Sequence, residues 1–168
     1  MEEVSVIEMM KCREDRALIQ KELVEESKCI ISFCMNIAGP IKTDEDILFA
    51  FNEGKKEILA KLKENNIEIK KEKEVHQKTG DELFLALDYE PLRVKKMMSE
   101  IEDEHPLGRL FDIDVLDSEC NKLSRNKYRK CLICDNQAQD CARSRRHSVS
   151  ELFSKSKSII EEYKTSNV

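Results

Sequence analysis

Leu110-Phe111-Asp112-Ile113-Asp114-Val115-Leu116 alternates apolar and acidic residues at the spacing of a pleated strand. Phe111, Ile113 and Val115 fall on one side and the aspartates on the other, so a sheet containing this strand has one core face and one face carrying carboxylates. The two carboxylates stand about 6.5 to 7 Å apart along an extended backbone. A cation between them offsets their repulsion, and hard Mg²⁺, which keeps several waters and also takes phosphate oxygens, suits such a pair. A D-x-D pattern alone is more often a solvated strand face. Its surroundings favour chemistry: Gly108 permits close backbone approach, Arg109 adjoins the motif, and a concentrated basic segment follows.

The rest of the chain supplies neighbours for that strand. Met9 to Ser27 has helical periodicity, with Leu18, Leu23 and Val24 on the predicted buried stripe and Arg13, Arg16 and Gln20 sharing another face. Cys29 to Met35 reads as a strand, ended by the Gly39-Pro40 turn. Asn36 and Lys42 bracket that turn, placed either as strand-end ligand groups or as ordinary turn and surface residues. Thr43 or Asp44 caps a helix reaching Asn65, with Ile47, Phe51, Ile58 and Leu62 inward. Ile67 to Val75 reads as an exposed strand and Glu82 to Leu87 as a buried one. Pro91 opens a helix to about Glu104, which His105-Pro106-Leu107-Gly108 breaks. Beyond Leu116 a short hairpin through Asp117 to Asn121 returns into Lys122 to Arg125, and Val149 to Tyr163 forms a last helix on Leu152, Phe153, Ile159 and Ile160. This order predicts an α+β fold, a mixed or antiparallel sheet flanked by helices, in a single domain over residues 1–168.

Across the chain 29 Lys and Arg stand against 34 Asp and Glu, a formal charge of -5. That balance offers no general attraction for nucleic acid or an anionic membrane. Between Lys122 and His147 it reverses: eight Lys or Arg face two Asp, a local +6 that leaves -11 elsewhere. Ser124, Arg125, Arg129, Arg143, Arg145 and Arg146 offer a hydroxyl and several guanidinium forks to phosphate oxygens, although each alone also fits a solvated surface. Cys131, Cys134, Cys141 and His147 are spaced C-x2-C-x6-C-x5-H. Three thiolates and an imidazole satisfy tetrahedral zinc. A helix starting near Leu132 would instead stack Cys134, Ala138 and Cys141 as a small-residue stripe against the core; this packing reading is preferred to zinc, and thiol catalysis comes last. His147 either contacts phosphate or a leaving group, or only connects to the last helix. Seven cysteines, an odd number, with no signal-peptide pattern and no membrane-length apolar segment, lead one to expect a cytoplasmic chain with reduced thiols or a metal-bound subset of them rather than disulfides.

Gly108-Arg109-Leu110-Phe111-Asp112-Ile113-Asp114-Val115, Ser124-Arg125, Arg129-Lys130-Cys131-Leu132-Ile133-Cys134 and Cys141-Ala142-Arg143-Ser144-Arg145-Arg146-His147 occur in that order. Together with Arg13-Glu14-Asp15-Arg16 and Asn36-Ile37-Ala38-Gly39-Pro40-Ile41-Lys42, they resemble the apo-citrate lyase phosphoribosyl-dephospho-CoA transferases, or holo-citrate lyase synthases, over roughly residues 10 to 155. The resemblance implies a nucleotidyltransferase-like arrangement. It implies transfer of a phosphoribosyl-dephospho-CoA group from triphosphoribosyl-dephospho-CoA to a serine of the citrate lyase acyl carrier subunit, with release of diphosphate. Asp112 and Asp114 would be the Mg²⁺ ligands and Arg109 would act beside them. Gly108, Ser124, Arg125, Arg129, Arg143, Arg145, Arg146 and His147, with Asn36, Lys42, Arg13 and Arg16, would surround the donor, and the basic segment would dock the carrier. The chain departs from the family pattern at Ala38, where Pro is common. It departs again at Glu119-Cys120, which lacks the frequent Gly, and in the five-residue connection from Arg125 to Cys131. Two alternatives stay open: a zinc-stabilised, non-catalytic binding module for an anion or protein, and prosthetic-group transfer to another carrier.

Overall fold

Four strands pair in the order β2-β3-β1-β4, antiparallel at every junction. The computed structural model describes residues 1–167. β1 (Cys29–Met35) and β3 (Gly80–Leu87) are rich in Ile, Leu and Phe and take the centre. β2 (Ile69–Gln77) is the outer edge strand, and its run of Lys and Glu keeps that edge solvated and unattractive to another strand. β4 (Phe111–Leu116) is the opposite edge. Its alternation of buried and half-buried residues is the one its sequence dictates.

The register aligns one apolar face: Phe33 stands beside Leu83 and Ile113, and Ile31 beside Leu85 and Val115. α2 (Glu45–Glu64), α3 (Pro91–Glu104) and α5 (Val149–Ser166) cover it in a continuous core. The Asp44 carboxylate accepts the Ile47 N–H at 2.8 Å and starts α2, as expected, and Ile47, Phe51, Ile58 and Leu62 are buried. Phe33 stacks on Phe51 with ring centres 5.0 Å apart and meets Phe111 edge-on at 5.4 Å. Gly54 makes this possible, since a Cβ there would lie 2.5 Å from Phe33 Cζ.

Among the described helices, the one on the other face is α1 (Val6–Val24). Its start lies earlier than periodicity predicts, because Ser5 and Glu8 form a reciprocal capping box. Leu23 and Val24 do pack inward, against Ile30, Ala86 and Leu116. Leu18 does not; it is 62% exposed, because the helix turns Cys12, Arg16 and Gln20 to the sheet instead. The expected return strand after Asn121 is reduced to an isolated bridge between Leu116 and Lys122. The turn before it holds Cys120 at φ 64, a left-handed conformation that glycine adopts without cost. No described helix is long and apolar enough to cross a membrane.

Candidate active site

Because side chains alternate along a strand, the apolar alignment of Phe33 and Ile113 forces a polar alignment one residue away. Asp114 lies beside Ser32, Asp112 beside Cys34, and Cys34 beside Glu82. Arg16 of α1 reaches down to an ion pair with Glu82, and Gln20 donates to Ser32 Oγ at 3.0 Å. Burial, and then the charge of Asp114, raise the Asp112 carboxyl above its usual range. Burial, and then Asp112, push the Cys34 thiol up to about 12. Lys42 turns back to donate to the Ile37 carbonyl at 2.7 Å, and burial and the neighbouring Arg13 charge lower its pKa. Arg16 thus lies near Asp112, Lys42 near Cys34, and Arg13 near Lys42.

The aspartate pair fits a hard cation. Two half-buried carboxylates project from one face, and the Lys122 ammonium already sits 3.2 Å from Asp114 Oδ1, supplying positive charge there. Burial opposes the Lys122 charge, but Asp114 and Asp112 outweigh it and raise its pKa.

β4 has no strand beyond it, so other groups must satisfy its outer backbone. Glu102 accepts the Ile113 N–H at 3.0 Å, Lys95 approaches the Ile113 carbonyl at 3.5 Å, and Arg129 donates to the Phe111 and Gly108 carbonyls at 2.9 and 2.6 Å. Leu123 N–H closes on the Val115 carbonyl at 2.9 Å. Glu102 is 4% exposed and lies 3.5 Å from Arg125 Nε and 3.6 Å from Arg129. Burial raises its pKa while Arg129, the Ile113 N–H and Arg125 pull it down. A cavity of about 630 Å³ opens over this edge, bringing Asp112 and Asp114 together with Lys122, Ser124, Arg125 and Arg129.

A second cavity of about 760 Å³ adjoins it across Ala138 and Gln139, the first residues of α4 (Ala138–Ser144). Asn36, Arg109, Arg145 and His147 line it. Burial, and then Arg129, lower the Arg109 pKa. Arg143 and Arg146 line neither cavity and are exposed, Arg143 beside Asp140 at 3.3 Å. Gly108 is buried against the last turn of α3, so its missing side chain makes room for backbone. Arg125 is drawn to Asp103 and Glu102 as well as to the cavity.

The cysteine segment differs from the preferred sequence expectation. No helix begins near Leu132; α4 starts only at Ala138, so Cys134 lies in a loop and the packing stripe does not form. Cys131, Cys134, Cys141 and His147 instead bring one donor atom each within 4.8 Å of one another, an arrangement that could hold a metal ion.

Lys122, Lys95, Glu102, Cys34 and Glu82 escaped the sequence reading. Lys95, Met98 and Glu102 repeat at helical spacing on the buried side of α3, so two charged residues in that stripe were a legible sign of a buried ion cluster. Cys34 and Glu82 depend on strand register and carried no local sign.

The family model for apo-citrate lyase phosphoribosyl-dephospho-CoA transferase matches residues 4–163. A protein of that name from Citrobacter koseri is 32% identical over 170 aligned positions, covering 98% of this chain and 93% of the relative. One from Escherichia coli O1:K1 is 31% identical with the same coverage. A Haemophilus influenzae protein named CitXG is 28% identical over 95% of this chain but only 36% of its own length. The chain belongs to the apo-citrate lyase phosphoribosyl-dephospho-CoA transferase family.

Proposed function

We propose that this protein transfers the phosphoribosyl-dephospho-CoA group of a triphosphoribosyl-dephospho-CoA donor to a serine of the citrate lyase acyl carrier subunit. The observation that carries this reading, beside family membership, is the single cavity in which Asp112 and Asp114 face Lys122, Ser124, Arg125 and Arg129. In the transfer the carrier serine Oγ forms a bond to the donor phosphorus nearest the ribose. The bond from that phosphorus to the outer two phosphates breaks, the serine loses its proton, and diphosphate leaves with the electron pair.

Charge grows on the departing diphosphate, and fixed cations aimed at it lower the barrier. Lys122 and Arg129, which line the cavity, would serve this. Arg129 is held by two backbone carbonyls, so its guanidinium need not reorganise during reaction. Asp112 and Asp114 would hold Mg²⁺, which when bound supplies Lewis-acid polarisation of phosphate oxygens. Lys122 then pairs with phosphate rather than with Asp114. The adjoining cavity of about 760 Å³, with Asn36, Arg109 and Arg145, would take the rest of the donor. Arg143 and Arg146, exposed on the rim, suit docking of an acidic carrier, whose encounter their charge would accelerate.

The test is transfer with purified components: Mg²⁺, donor and apo-carrier, read by intact mass of the carrier. The prosthetic-group increment is expected on the serine. Asp112→Asn and Asp114→Asn should each slow it by roughly 10²-fold or more with an unchanged melting temperature. No increment with folded components would defeat the assignment, and unchanged rates in both variants would remove the aspartates from the reaction.

A further inference from the structure

We propose that Cys131, Cys134, Cys141 and His147 bind one zinc ion in a closed, structural site that fastens the basic segment beside the sheet. Neither the ion nor its role depends on the transfer reaction.

The donor atoms are already at zinc spacing. Cys134 Sγ lies 3.5 Å from Cys141 Sγ and 3.4 Å from His147 Nε2, and all four donors lie within 4.8 Å of one another. Zinc with Zn–S of about 2.3 Å and Zn–N of about 2.0 to 2.1 Å at tetrahedral angles separates two sulfurs by roughly 3.8 Å, and a sulfur and a nitrogen by roughly 3.5 Å. The two short pairs are within a few tenths of an ångström of these separations, and no pair has to close by more than about 1 Å to complete the site. An ordinary packed thiol needs no such convergence with an imidazole.

The surroundings match ligation as well. The Ile133 N–H points to Cys131 Sγ at 3.4 Å and the Asn136 side-chain amide to Cys134 Sγ at 3.5 Å, donors that suit thiolates. His147 turns Nε2 to the sulfurs, while its Nδ1 faces Glu151 Oε2 at 3.8 Å, the outer carboxylate that orients a ligating imidazole. Three thiolates and a neutral imidazole around Zn²⁺ carry one net negative charge, and Arg109 and Arg145 line the adjoining cavity to offset it.

The segment also needs a fastening. From Asp117 to Ser148 the only buried residues are Cys131 and Cys141, and the regular structure is one seven-residue helix and isolated bridges. Apolar burial of that extent cannot offset the entropy of ordering the segment, whereas a structural metal can. Four protein ligands leave no open coordination position, so the ion orders chain rather than activating water. What it orders is adjacent to the aspartates. Cys131 follows Arg129 by two residues, Ala138 N–H bonds the Arg129 carbonyl at 2.8 Å, and the Arg129 side chain holds the start of β4.

The experiment uses the full chain purified under reducing conditions, with metal content by elemental analysis and native mass, and with cobalt(II) as a spectroscopic replacement. One zinc per chain is expected, together with intense tetrahedral cobalt bands and sulfur-to-cobalt charge transfer. Cys141→Ser should lose the metal, Cys120→Ser should keep it, and His147→Cys should keep it with stronger charge transfer. If Cys141→Ser does not fold, the wild-type cobalt spectrum decides alone. No stoichiometric zinc, weak octahedral cobalt bands, full retention by Cys141→Ser, or an intact mass showing a Cys134–Cys141 disulfide would each overturn the site.

Discussion

Replacing Gly108 with alanine separates two roles that a glycine beside an active-site strand can have. A Cβ at position 108 would lie 2.2 Å from the Glu102 carbonyl oxygen, 2.7 Å from its carbon and 2.8 Å from the Ile101 carbonyl oxygen. Ordinary contact starts at 3.4 Å, so the gap must open by about 1.2 Å between two stretches of backbone, neither of which can swing aside. Overpacking of this kind costs roughly 1 to 3 kcal/mol, and rigid atoms on both sides put this case at the upper end. The Gly108 carbonyl also accepts from Arg129 at 2.6 Å, and disturbing that bond adds about 1 kcal/mol. For a chain of this size each kcal/mol lowers the melting temperature by roughly 2 to 4 °C, so a drop of about 6 to 16 °C is expected. Thermal unfolding followed by circular dichroism measures it. A melting temperature within about 2 °C of wild type, with donor binding lost, would show that the glycine makes room for ligand rather than for α3, and would refute the packing argument.

The buried ion cluster gives a second test. Glu102→Ala strands Arg129, Arg125 and the Ile113 N–H together, a loss of roughly 3 to 5 kcal/mol read from denaturant midpoints, and a loss under about 1 kcal/mol would show that the cluster is solvent-compensated. His76 gives a third. Its Nδ1 meets Asp81 Oδ1 at 2.8 Å, and its pKa is raised from 6.5, first by that hydrogen bond and against a small burial penalty. A raised imidazole pKa stabilises the fold fully below 6.5 and loses that contribution as pH rises through the folded value. The stability gap between wild type and His76→Gln should therefore be wider at roughly pH 5.5 than at roughly pH 8.5, and an equal gap at both would refute the link.

What the sequence revealed followed from what local patterns encode. The two-residue alternation of β4, the cap at Asp44 and the helix-opening Pro91 are properties of neighbouring residues, so strand, helices and the common face of Asp112 and Asp114 were legible. The start of α1 was misplaced because Ser5 and Glu8 sit outside the apolar periodicity that located the helix. The helical stripe of Cys134, Ala138 and Cys141 does not form for a similar reason. Helical spacing from Leu132 was a local pattern, whereas the convergence of a loop thiol, a helical thiol and the imidazole before α5 is produced by tertiary structure. Which basic residues reach the aspartates was equally non-local. Lys122 gets there because Leu123 pairs with Val115, and Arg143 and Arg146 do not because they stand on the outer side of α4 and its exit.

The asymmetry of the sheet explains why the aspartates remain available. On one face α2, α3 and α5 bring a continuous set of Ile, Leu, Met and Phe and exclude water from Phe33, Phe111 and Ile113. On the other, α1 buries only Cys12 completely and lays Arg16 and Gln20 across the strands, so it closes over Ile30, Ala86 and Leu116 at one end and leaves a polar trough at the other. Two adjacent carboxylates could not sit on the first face without a prohibitive desolvation cost. On the second, burial and then the charge of Asp114 raise the Asp112 pKa, yet both carboxylates remain beside the cavity of Lys122 and Arg129. Filling the trough with an apolar residue, as in Arg16→Leu, removes a positive charge that lowers the Asp112 pKa and leaves buried Glu82 without its partner. That variant should therefore raise the Asp112 pKa further and move the acid limb of transfer to higher pH. An acid limb that stays in place would mean that the Arg16 charge does not act on Asp112.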